Sequence, residues 1–269
     1  MIFERKRVIV LVVSVVVGAA AAVAAPATGT PVVVPGAQTS VEGGFDNGFP
    51  FNLNAFPGFF ADPNNPSMRY QQVYGASEFG ALAPGGEFIT GIAFRPDAGG
   101  GNAFSCAPCI VDIRIDLSTT SKAPDGLSQT FAENLGPDTT TVFNGALSLS
   151  SADTGPLVGP KDFDIVIPLA APFFFDPAGG NLLLDVRNFS GGSTTQFDAV
   201  NATGDSVSRV QAFDVDSETG AQLAFPSLGL VTQFTTSPPT VGIPEPSTLV
   251  LLGAGLAGLL PRACRRSRR

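Results

Sequence analysis

The chain has 269 residues, with 15 Lys and Arg against 23 Asp and Glu, no histidine, no tryptophan and three cysteines. Three of the basic residues lie near the N-terminus and five in the tail, and only Glu4 and Glu245 of the acids fall outside the middle; seven basic against 21 acidic residues put the segment 25–243 near −14. That balance repels nucleic-acid phosphates and offers no basic stripe, which excludes DNA and RNA as partners. The missing histidine excludes Ser-His-Asp and Cys-His nucleophiles and His-ligated metals, so no cofactor is expected.

The first element is a leader. Arg5, Lys6 and Arg7 form a basic head, an apolar run extends from Val8 to about Val23, and Ala22-Val23-Ala24 fits an A-x-A cleavage site, so a secretory signal peptide is expected over 1–24 with cleavage after Ala24. An uncleaved anchor is the alternative, and either one exports the remainder of the chain. Residues 25–66 are rich in Gly, Pro, Asn and Phe and read as an irregular lead-in with one strand.

From 67 to 237 the pattern is strand-like. In IVDIRIDL, Val111, Ile113, Ile115 and Leu117 alternate with Asp112, Arg114 and Asp116, which places the apolar set on one face of a half-buried strand. FDIVIPL does the same with Phe163, Ile165, Ile167 and Leu169. Further strands are expected within 87–95, 139–150, 181–189, 205–213 and 228–236, separated by turn signals such as RPDAGGGN, KAPDG and DPAGGN. With no 3.6-residue period to supply helices for parallel crossovers, the fold expected is all-β, an antiparallel β-sandwich or jelly roll. Phe88, Phe94, Phe163 and Phe189 are expected to fill the space between its sheets. In PFFFDP (172–177) three consecutive aromatics must point to both faces of a strand, which is read as a covered strand in preference to an exposed patch.

Cys106 and Cys109 have the spacing of a redox pair, but they open into a strand and lack the helix N-terminus that redox chemistry needs; in an exported protein they are expected to close as a disulfide. Asp214, Asp216 and Glu218 in DVDSETG resemble a calcium loop only in part, because glycine falls at the seventh position and Phe225 at the twelfth; no metal site is expected beyond this weak candidate. NFS (188–190) and NAT (201–203) match glycosylation sequons.

A linker over 238–243 leads to the tail. GAGLAG (253–258) satisfies a dinucleotide fingerprint in letters only, since 11 residues remain after it, and its glycines read as small residues of a membrane helix. Ser247 to Leu260 is an apolar run of 14 residues, about 21 Å as a helix against a hydrocarbon core of about 30 Å, short for a permanent anchor. Arg262, Arg265, Arg266, Arg268 and Arg269 hold its end in the cytoplasm, which leaves Pro244-Glu245-Pro246 extended at the outer membrane face. Cys264 sits among these arginines without a partner in sight.

This triplet, apolar run and arginine cluster over 244–269 resemble the PEP-CTERM sorting signal of exported proteins in exopolysaccharide-making Gram-negative bacteria. The resemblance implies recognition by exosortase, a membrane-embedded transpeptidase-like enzyme, and removal of the tail near the triplet. It covers the C-terminus alone and implies an address without an activity. The expectation is therefore a non-enzymatic surface or matrix protein, held transiently at the inner membrane and associated outside the cell with exopolysaccharide. The alternative is a secreted glycan-binding or carboxylate-dependent glycan-cleaving protein.

Overall fold

The computed structural model describes residues 29–239 apart from 223, 224 and 226; the leader with Ala24, the Pro244-Glu245-Pro246 triplet, the apolar run, the arginine tail and Cys264 lie outside the described residues. Within them are twelve strands and six single-turn 3-10 helices, the strands being β1 (Thr30–Val34), β2 (Phe45–Asn47), β3 (Met68–Tyr74), β4 (Glu87–Phe94), β5 (Phe104–Thr120), β6 (Thr140–Ser151), β7 (Ile165–Phe175), β8 (Asn181–Asn188), β9 (Phe197–Asn201), β10 (Val207–Ala212), β11 (Leu228–Leu230) and β12 (Thr232–Ser237). The pairings between these strands are all antiparallel.

Three sheets result, ordered β1-β12-β4-β7, β10-β3-β8-β5-β6 and β11-β9-β2. When the short third sheet and β10 are set aside, eight strands remain, and numbered afresh along the chain they stand in the orders 1-8-3-6 and 2-7-4-5. The chain thus passes repeatedly from one sheet to the other, which gives the two Greek keys of a jelly roll. Inward faces of both sheets supply one core, in which Phe51, Tyr70, Tyr74, Phe94, Phe197 and Phe234 have no exposed surface. Each such side chain contributes roughly 1.5–3 kcal/mol by leaving water.

The alternation seen in the sequence meets a bulge in β5. Pairing with β6 slips between Ile110 and Ile113, and the extra residue resets which side chains face inward. Ile110 is buried beside Ile113, Ile115 and Leu117, while Val111, expected on the same face, is 68% exposed. In β7, Phe173 and Phe175 enter the core and Phe174 stays partly exposed, its ring 5.3 Å from that of Phe88 on the strand alongside. Of the four phenylalanines expected between the sheets, Phe94 alone is in the core; Phe88, Phe163 and Phe189 are half-buried because each falls on an outer face or beyond a strand end.

The lead-in is more ordered than its composition suggests. β1 pairs along its whole length with β12 and forms an edge of the first sheet, and β2 pairs with β9. The expected strand over 228–236 divides at Val231 into β11 and β12, so one stretch of chain serves two sheets. Gln72 on β3 holds that junction, accepting from the Leu230 N–H at 2.8 Å and donating to the Leu230 carbonyl at 2.9 Å.

Candidate functional site

The residues singled out by motif do not converge. Cys106 and Cys109 are disulfide-bonded, but inside β5, not in a loop before it, and the Leu149 N–H of β6 points at the Cys109 sulfur at 3.3 Å. Asp214, Asp216 and Glu218 are all exposed; the Asp214 carboxylate folds back to accept from the N–H of Asp216 at 3.0 Å, a local turn with no shared centre. Asn188 of the first sequon is fully buried and donates to the Pro50 carbonyl, so it presents no acceptor for a glycan.

The carboxylates that do meet are Glu42, Asp97 and Asp198, with oxygens within 4.8 Å of one another. They come from three places: the segment before β2, the turn after β4, and β9. Arg95, just beyond β4, reaches Asp198 through Nε at 2.8 Å and Nη2 at 2.6 Å, and its Nη2 also donates to the Val41 carbonyl. Neither side chain of the pair is more than 1% exposed, and the guanidinium lies 4.9 Å from the centre of the Phe163 ring. Asp97 closes its own turn by accepting from the N–H groups of Gly99 and Gly100, while Glu42 accepts from Ala98 and Asp198 from Gly43. Burial pushes the Asp198 carboxyl above its ordinary range, against the pull of Arg95. Glu42 is raised as well, by burial first and then by its two acidic neighbours. The turn RPDAGGGN was legible as a turn; its meeting with Asp198, 103 residues from Arg95, was not.

A cavity of about 240 Å³ opens elsewhere, between β10 and the Phe-rich segment after β2. Residues 207, 209, 211 and 213 point one way from β10 by the strand's two-residue period, while Val210 turns to a second small core with Val73 and Phe131. Arg209, Gln211 and Phe213 therefore line the cavity, facing Phe49, Phe56 and Phe59. Phe213 joins these rings into a cluster, at 5.4 Å from Phe49 and 5.0 Å from Phe59. Exposed Asp46, buried Asn47 and half-buried Gln196 complete its polar lining.

Particular polar atoms of this cavity lack a partner in the protein. Arg209 is 4% exposed, and its Nε and Nη1 have no hydrogen-bond partner; Gln211 is 2% exposed, and both of its amide atoms are unpartnered. Among the described residues Arg69, Arg95 and Arg114 each pair with an aspartate, whereas Arg187 and Arg209 have no ion pair, and of these two Arg209 lines the cavity. Burial lowers the Arg209 pKa, partly offset by Tyr70, over whose ring the guanidinium sits at 5.8 Å. Sequence reading took 205–213 only as a strand; the signal it contained was an arginine and a glutamine at alternate positions of a strand that has cover on both faces.

No curated protein and no solved structure matches the chain. Residues 242–269 match the PEP-CTERM protein-sorting motif, beginning two residues before Pro244 and including the apolar run and all five terminal arginines. The address read from the tail is therefore shown by a family match of its own: this chain is a PEP-CTERM sorting domain-containing protein, an exported protein directed to exosortase.

Proposed function

We propose that the jelly roll is displayed outside the cell as a non-enzymatic surface or extracellular-matrix protein associated with exopolysaccharide, after exosortase has removed the tail. The observation that carries this reading is the sorting motif over 242–269, joined to a β domain in a chain whose residues 1–24 have the three-part layout of a leader. The short apolar run supports transient residence at the inner membrane, because 14 residues reach only about two thirds of the way across the hydrocarbon core.

Two features support display over catalysis. The chain has no histidine for nucleophile activation. Glycan cleavage by carboxylates needs two of them flanking a bound sugar, and of the three that meet here Asp97 and Asp198 are buried and only Glu42 is half-buried, with Asp198 held by Arg95. The decisive experiment replaces Pro244, Glu245 and Pro246 with alanines in the exporting host. Export continues, since the leader is untouched, but a longer membrane-bound form accumulates. An antibody to the last residues that still detects them on the wild-type protein at the surface or in the medium overturns the reading.

A further inference from the structure

We propose that the cavity between β10 and the Phe-rich segment is a binding site for a small amphiphilic monoanion, a carboxylate joined to an apolar ring or short chain. The inference goes beyond sorting and display and depends on neither.

The walls set the body of the ligand. Phe49, Phe56, Phe59 and Phe213 present ring faces and edges around a space of about 240 Å³. A cavity of about 150 Å³ holds benzene, so this one takes a six-membered ring with a further side chain of about three to five heavy atoms. The polar end is set by Arg209 and Gln211. A guanidinium at 4% exposure with two unpartnered nitrogens, Nε and Nη1, is costly unless an anion meets it, and the Gln211 amide beside it has neither its Nε2 nor its Oε1 partnered in the protein. A single buried cation matches a single negative charge. A phosphate dianion would leave one charge unmatched, and Asp46 on the same lining repels it further. The site is also asymmetric in access: Phe59 is 55% exposed, so the aromatic side faces solvent while Arg209 lies at the closed side.

The test uses the protein as the cell exports it and three probes in calorimetric titration: 3-phenylpropionate, 3-phenylpropanamide and propionate. The acid is expected to bind at least about tenfold more tightly than the amide, as a charge-assisted hydrogen bond is stronger than a neutral one, and propionate, lacking the ring, binds far more weakly than either. Arg209→Met abolishes the preference for the acid while the melting temperature holds or rises, because an apolar side chain of similar length replaces a buried uncompensated charge. Phe59→Ala, at an exposed position that leaves the fold intact, weakens acid and amide by a similar factor. Equal affinity for acid and amide, an unchanged preference in Arg209→Met, or no binding of 3-phenylpropionate overturns the proposal.

Discussion

Replacing Arg95 with methionine isolates the buried ion pair between the end of β4 and β9. Methionine keeps most of the side-chain length, so packing on Phe163 is largely retained and the electrostatic loss dominates. In the wild-type protein the Asp198 carboxylate accepts from Arg95 Nε and Nη2 and from the Gly43 N–H at 2.9 Å, with no exposure to water. Without Arg95 a single backbone donor remains, and Glu42 and Asp97 stand within 4.8 Å with their own negative charge. Removing one partner of such a pair costs about 3–5 kcal/mol, which for a domain of this size lowers Tm by roughly 6–20 °C. The deficit also depends on pH with a fixed sign. The folded pKa of Asp198 is already raised, and losing Arg95 raises it further. The folded state then holds a proton that the unfolded chain, titrating near about 3.9, gives up, so the variant loses stability as pH rises from about 4 toward 7 and recovers at lower pH. Urea unfolding of both proteins at pH 4 and pH 7 measures this, and Arg95→Met/Asp198→Leu is expected to restore most of the loss at pH 7. A deficit under about 1 kcal/mol at pH 7, or one equal at the two pH values, refutes the account of the pair as a buried charge held by its partner.

Asp205 offers the same physics at smaller scale: burial pushes its carboxyl up to about 6, and one oxygen lacks a partner while the other accepts from Val207. Its charged form therefore opposes folding above about pH 6, so Asp205→Asn, which keeps the Val207 bond, is expected to raise Tm at pH 7 and to leave it unchanged at pH 3.5; equal effects at both pH values would count against it. The Cys106–Cys109 bridge closes a loop of separation 3. Replacing both with alanine is expected to cost at most about 2 kcal/mol, since a short loop constrains little of the unfolded chain. Alkylation of the exported protein without reductant should label neither cysteine.

The sorting tail of this protein declares itself in consecutive residues, because such a signal is recognised as a linear order of turn-forming residues, apolar length and charge. The all-β class was legible for a related reason: the two-residue alternation in Ile113, Ile115 and Leu117, or in Ile165 and Ile167, is a local property of a half-buried strand. Where the signal weakened, so did the reading. β3 carries Gln71 and Gln72 in its interior, both fully buried, and polar residues that find partners from distant segments do not alternate with water. Which strands become neighbours was decided only in three dimensions. The pairing of β1 with β12 across the whole domain drew an apparently irregular lead-in into a sheet, and the β5 bulge turned Val111 outward against its pattern. The same closure brought Arg95 to Asp198, and set Arg209 and Gln211 opposite Phe49, Phe56 and Phe59, some ~150 residues away along the chain. Charge matching and cavity lining are relations between surfaces of different elements, and chain order carries no record of them until the two sheets have met.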